Sequence, residues 1–304
     1  MSSYRFLQLD VFTKRAFTGN QLAVFPDALG LETHLMQQIA REMNFSETTF
    51  VFPPETKDTH ARVRIFTPRA EIPMAGHTTV GTTFALAHLK RIPWVQKSIT
   101  FGLGIGPTFV RMEWNGLNLH FAWMTQPVPK FGQIVKNVAD LAASIGVRET
   151  DIVDTGLPVR VGSSGNPFLF VPIISRAAVD TASLEEDAFR HFSERASVEK
   201  NAGVFIFSLE ADNDGATAYS RMFAPAWGIP EDPASGSAVG PLGGYLVLHG
   251  AVSPEQASQM ITIQGVKMGR PSEIHTSIAT QNGIVSGVLV GGQAVLVAEG
   301  ELHV

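Results

Sequence analysis

The sequence predicts an α+β protein built as two similar domains, and three observations carry that expectation. Apolar residues switch between a period of two and a period near 3.6 along the chain. Asn-Gly and Gly-Gly steps separate alternating runs, and one segment of strand, loop and helix start occurs twice. At roughly 150 residues per domain, a chain of 304 residues allows two domains. Each is large enough to bury a core without disulfides or a structural metal.

The first run alternates imperfectly through Leu7, Leu9 and Val11, a half-buried strand ending near Val11. Thr18-Gly19-Asn20 then turns the chain into the apolar run Leu22 to Phe25. From Leu31 to Met43 the period changes, because Leu35, Met36, Ile39, Ala40 and Met43 share one helical face. Asn44 is the stop signal for that helix. Thr48 to Phe52 is β-branched and aromatic, a strand by composition, so Glu47 falls at a helix-to-strand junction. Ala61 to Phe66 alternates again, and a helix is expected from the Gly76 to Gly81 region through Leu89. Alternating runs on either side of Asn115-Gly116 predict a hairpin, since both residues tolerate positive φ.

Pro127-Val128-Pro129 breaks the pattern and is the expected linker between an N-terminal domain, 1–126, and a C-terminal domain, 130–304. Beyond it, Val138, Leu141, Ala142 and Ile145 mark a helix that Gly146 can end. Ser183 with Glu186 has the spacing of a capping box for a helix through Phe192. Val204 to Phe207 and Ala218 to Phe223 are strands. The segment from Ile274 is expected to be a β-meander with turns at Asn282-Gly283 and Gly291-Gly292. Helices interspersed with hairpin-connected strands point to antiparallel or mixed sheets.

Composition removes several function classes. A formal charge of -5 provides no basic field for phosphate backbones, so no nucleic-acid partner is expected. Without cysteine there is no disulfide framework, thiolate nucleophile, Cys-ligated zinc or iron–sulfur cluster. Lys14-Arg15 interrupts what would be a signal core, and no uninterrupted apolar run reaches the ~18 residues of a membrane span. A cytoplasmic location and no membrane partner are expected. Gly102-Leu103-Gly104-Ile105-Gly106 ends at Pro107, a turn between strands rather than a dinucleotide loop, and no His, Asp or Glu cluster has metal-ligand spacing. Neither a cofactor nor a metal is expected.

The chain also resembles itself. Arg64, Phe66, Pro68, Ile72 and Pro73 recur at identical spacing as Arg221, Phe223, Pro225, Ile229 and Pro230, and Val80-Gly81 matches Val239-Gly240 after a two-residue insertion. Residues 61–90 and 218–249 should therefore superpose as strand, loop and helix. Each copy carries a loop of small residues that opens a helix, where outward N–H groups and the positive dipole end can hold a carboxylate. Either loop alone is equally a tight turn that caps a helix. His77 in one copy and Glu231-Asp232 in the other are ionisable residues set among the smallest side chains. By pattern alone, Glu47 could equally lie on a solvated surface, and Arg62, Arg64 and Arg221 could offset an acidic substrate or simply face solvent.

At these residues the chain resembles the phenazine-biosynthesis PhzF-like family, which has the diaminopimelate-epimerase-type fold. The likeness runs through Asp10-Val11-Phe12-Thr13, Phe17-Thr18-Gly19-Asn20, Ala40 to Val51, Ala75-Gly76-His77, Glu231 to Ala238, and Gly265 to Pro271. It implies two pseudo-symmetric domains, each a curved mixed or antiparallel sheet around a central helix, with the active-site cleft between them. It also implies a homodimer that uses no cofactor or metal. The family's catalytic glutamate falls on Glu47, its Gly-His motif on Gly76-His77 and its second acidic residue on Asp232. Carboxylate-holding backbone falls on Gly76-His77 and Gly236-Ser237, and a further site residue on Asn20. Gln21 departs from the family's proline, and Ser235 from its threonine. The implied activity is a cofactor-independent isomerase that moves a proton on a small carboxylate-bearing metabolite. The alternatives are a racemase or epimerase of an amino-acid-like substrate, and a non-catalytic protein that binds small carboxylates.

Overall fold

The computed structural model describes residues 2–304. Its first half runs through β1 (Ser3–Val11), β2 (Asn20–Phe25), α1 (Thr33–Met43), β3 (Glu47–Phe52), β4 (Ala61–Phe66) and β5 (Glu71–Ile72). It continues with α2 (Gly76–His88), β6 (Ser98–Leu103), β7 (Gly106–Asn115), β8 (Asn118–Gln126) and β9 (Lys130–Ile134). Two short helices follow, α3 (Ala139–Ser144) and α4 (Glu149–Val153), then β10 (Arg160–Ser163) and β11 (Pro167–Pro172). Next come α5 (Arg176–Thr181), α6 (Glu186–Ala196), β12 (Gly203–Ser208), β13 (Ala218–Ala224) and β14 (Ile229–Asp232). The last elements are α7 (Gly236–Leu248), α8 (Pro254–Ala257), β15 (Met260–Gln264), β16 (Ser272–Gln281), β17 (Ile284–Gly292) and β18 (Ala294–His303).

The strand pairings repeat. In the first half β1–β2 is antiparallel, β2–β3 parallel, β3–β4 antiparallel and β4–β6 parallel. The second half has the same sequence of senses in β10–β11, β11–β12, β12–β13 and β13–β15. The expected repeat thus extends well beyond the matched residues. Two features bind the halves into one continuous sheet system. β8 pairs antiparallel with β17, and the last strand of each half crosses over: β9 pairs with β10, while β18 pairs with β1 from Ser3↔His303 to Val11↔Ala294.

Each half wraps its sheet around one central helix. α2 and α7 are buried through most of their length, which explains why neither shows a polar face. In α2 the buried threonines satisfy their hydroxyls locally: Thr78 and Thr79 donate to the Ala75 carbonyl, and Thr83 donates to that of Thr79. α1, by contrast, is amphipathic and lays Met36, Ile39 and Ala40 against Phe25, Phe50 and Phe66. Asn44 ends it in the left-handed region at φ 52°. No helix among the described residues is long and apolar enough to cross a membrane.

Three expectations need correction. Ser183 does not cap a helix: α6 begins at Glu186 with Glu185 as its N-cap, and no side chain caps it. Ser183 and Glu185 instead donate their N–H groups to the carbonyls of Ile145 and Ser144, which keeps this segment extended. Gly291-Gly292 is not a turn either but the end of β17, where a Cβ on Gly292 would lie 2.4 Å from Phe12 Cδ1. The repeated arginines are structural. Arg64 forms a fork with Glu71 and Arg221 one with Glu231, each tying a long strand to the short one after it.

Candidate active site

The starts of α2 and α7 meet head to head where the two halves touch. A Cβ on Gly76 would sit 2.6 Å from Gly236 Cα, so only the absence of side chains lets the two helix starts come this close. First-turn N–H groups have no intrahelical acceptor, and the Gly76, His77, Gly236 and Ser237 amides concentrate at this junction. Around it the fold places one residue from each of several elements. Asn20 opens β2, Glu47 opens β3, His77 is the second residue of α2, and Asp232 ends β14.

These side chains form one buried cluster. His77 Nε2 lies 3.2 Å from Glu47 Oε2, off the line of a good hydrogen bond, so that both atoms remain without a bonded partner. Asn20 Nδ2 donates to Asp232 Oδ1 at 2.8 Å and to the Ala234 carbonyl at 3.0 Å, and lies 3.4 Å from His77 Nδ1. Asp232 also accepts from Ser46 Oγ at 2.8 Å and Ser235 Oγ at 2.6 Å. Glu47, His77 and Asp232 are only 5%, 2% and 5% exposed.

Burial dominates the electrostatics. It raises the Glu47 carboxyl well above its ordinary 4.5, with the nearby Asp232 charge adding to the effect. It also drives His77 down to about 3, so the ring is neutral at physiological pH. Asp232 is raised to about 6, because three hydrogen bonds to its ionised form offset part of the desolvation. A groove of about 390 Å³ at the far end of α2 is remote from this chemistry, and its Arg91 and Asp27 already neutralise each other.

A neutral imidazole beside a bare carboxyl, facing a solvated carboxylate and two sets of helix-start amides, suits proton transfer on an anionic small molecule. Residues 9–300 match the family described as phenazine biosynthesis-like protein. The chain belongs to that family. An uncharacterized isomerase of Mesorhizobium japonicum is 33% identical over 304 residues, covering 100% of both chains. The trans-2,3-dihydro-3-hydroxyanthranilate isomerase of Pseudomonas aeruginosa is 33% identical over 300 residues, covering 99% of each chain. The solved PhzF-family phenazine biosynthesis protein of Bacillus anthracis superposes with a TM-score of 0.87 at 28% identity, covering 100% of both. A PhzF-like isomerase fits both these relatives and the α+β architecture.

Other members of the cluster were not singled out by sequence reasoning about this PhzF-like chain. Ser46 lies within a quoted motif and Ser235 stood out only as a departure from the family's threonine; neither carries an ionisable group, and neither was given a role. Gln264 is fully buried, donates to the Asp232 carbonyl at 2.7 Å and to Ser235 Oγ at 2.9 Å, and accepts from the Ser235 amide at 3.1 Å. Its signal was a lone glutamine ending a strand, which no spacing rule picks out. Gln126 donates to the Gly236 carbonyl at 2.9 Å and braces the start of α7 from β8.

Proposed function

We propose that this protein is an isomerase that moves a proton between two carbons of a small carboxylate-bearing metabolite, with Glu47 as the acid/base. The observation that carries the reading is the Glu47 carboxyl, buried without a hydrogen bond to Oε2 and close to a neutral imidazole. A carboxylate in such surroundings is a strong base, because accepting a proton removes a poorly solvated charge. When ionised, Glu47 takes a proton from a carbon next to the substrate's activating group. The electron pair moves into an enol- or dienol-like system while Glu47 holds the proton, and protonation of a second carbon returns Glu47 to its starting form. The amides of Gly236 and Ser237 would hold the substrate carboxylate, with those of Gly76 and His77 opposite. His77 and Asp232 would orient a polar substituent.

The substrate named for the Pseudomonas relative, trans-2,3-dihydro-3-hydroxyanthranilate, is the first compound to test. Purified protein in D2O, followed by NMR, should move the double bond and place deuterium on carbon to the extent that the proton held by Glu47 exchanges with solvent before its return, with activity unchanged after exhaustive chelation. A panel of cyclic and amino-acid carboxylates with no isomerisation and no exchange would defeat the proposal and favour a binding protein. A second reading has some support, since Glu47 and Asp232 are two buried carboxyls both raised above their ordinary values. That pair suits a two-base epimerase, which chiral chromatography of the product would identify.

A further inference from the structure

The two halves share one more device, carried by one hairpin in each. Asn20 stands at the head of the second strand of the β1–β2 hairpin, directly after Gly19 at φ 71°. Asn166 stands one residue before the second strand of the β10–β11 hairpin, directly after Gly165 at φ 144°. Asn20 Nδ2 donates to the carbonyl of Ala234, two residues before α7 begins. Asn166 Nδ2 donates at 2.8 Å to the carbonyl of Met74, two residues before α2 begins. Both asparagines are almost fully buried, at 1% and 5% exposure. The β10–β11 tip rests on Met74, since a Cβ on Gly165 would lie 2.9 Å from Met74 Cε. Each half therefore reaches across the junction and grips the backbone entering the other half's central helix.

We propose that Asn166 is a positioning residue, the counterpart of Asn20, and that each Gly-rich helix start is completed by the opposite half. The start of α2 depends on this grip more heavily than that of α7. Neither N-cap, Ala75 or Ser235, caps its helix with a side chain, and the Ala75 carbonyl is occupied by two threonine hydroxyls. α7 has additional support from Gln264 and Gln126. Opening the halves breaks both grips and frees the segments that carry Gly76-His77 and Gly236-Ser237. Closure and completion of the site are then one event, so an open enzyme has no finished carboxylate-holding loop. The catalytic consequence rests on the proton-transfer reading above; the grip itself does not.

Hydrogen exchange followed by mass spectrometry tests the grip without a substrate. In Asn166→Ala, and in Asn166→Asp, whose carboxylate cannot donate to a carbonyl, residues 74–80 should exchange about tenfold faster. That is the size expected for one buried neutral hydrogen bond. Residues 234–240 should hold their wild-type rate. Asn20→Ala should show the reverse pattern. Unchanged exchange at 74–80 in both Asn166 variants, or equal acceleration throughout α2 and α7, would overturn the proposal. On any compound that the wild type converts, Asn166→Asp should lower kcat/KM about tenfold, mainly through KM; a loss that only follows the folded fraction would reduce Asn166 to a structural residue. If the wild type converts nothing, the isomerase reading fails, and the exchange pattern alone decides the fate of the grip.

Discussion

Glu47 and Asp232 are buried to the same degree, yet their surroundings differ sharply. Glu47 stands at the start of β3 beside a neutral ring, and its Oε2 accepts no hydrogen bond. Asp232 ends β14 inside a ring of donors from Asn20, Ser46 and Ser235. Burial pushes both carboxyls up, but the donors pull Asp232 back to about 6 while nothing comparable restrains Glu47. Two identical functional groups on related scaffolds thus acquire different proton affinities from their hydrogen bonds. Under the proposed mechanism the bare one would exchange protons with carbon, and the hydrogen-bonded one would hold its neighbours in place.

The comparison breaks most decisively at Glu47. Glu47→Gln keeps the size of the side chain but removes its titrating proton, so turnover should fall by at least ~10²-fold with little change in KM. Near-wild-type turnover, measured by NMR in D2O, would move the role of base to Asp232. Asp232→Asn should cost less in rate and more in affinity, roughly tenfold in kcat/KM, because a neutral amide still meets some of the donors. Steady-state kinetics of both variants on one substrate would distinguish the two tasks.

A stability test sharpens the contrast. Glu47 binds its proton more tightly folded than unfolded, so it lowers stability as pH rises above 4.5 towards its elevated folded value. Thermal melts of Glu47→Gln and wild type should therefore coincide near pH 4 and separate in favour of the variant as pH increases. Taking the difference cancels the opposite slope from His77, whose depressed folded pKa costs stability as pH falls below 6.5 towards about 3. A constant difference across that range would mean that Glu47 is solvated in the folded protein. The smallest effect belongs to Ser46→Ala, which removes one of three donors to Asp232. The Asp232 carboxyl, followed by carbon-13 NMR, should titrate a few tenths above its value of about 6, with turnover little changed.

Much of this architecture was legible from local signals. The apolar stripe of α1, the left-handed Asn44 behind it and the Asn282-Gly283 turn, with both residues at positive φ, all follow from the chemistry of a few adjacent residues. The internal repeat located the two helix starts before any coordinates did. Long-range partners were not legible. Nothing in the alternation of β18 says that it lies along β1, because a strand's period reports which face is buried and not which edge it joins. Asn166 escaped for a related reason: its role is defined by a carbonyl 92 residues earlier in the chain. The resemblance located Glu47, His77 and Asp232, but the partition of donors between the two carboxyls needed the three-dimensional neighbourhood.

The exchange of edge strands has a consequence for how this protein is made. Ser3 and Glu301, 298 residues apart, are joined in one ladder, so the first sheet lacks its outer strand until residues 294–303 have been synthesised. A ribosome-bound intermediate ending just after residue 134 would carry two defects: β1 would still lack β18 along one edge, and β9 would extend towards a sheet not yet translated. Pairings this distant are slow to form, and an unpaired edge is a template for association with other chains. The halves are alike in plan, yet each takes an edge strand from the other. Production of either half alone should give aggregation-prone material, whereas co-expression of both should allow each to supply the other's missing strand.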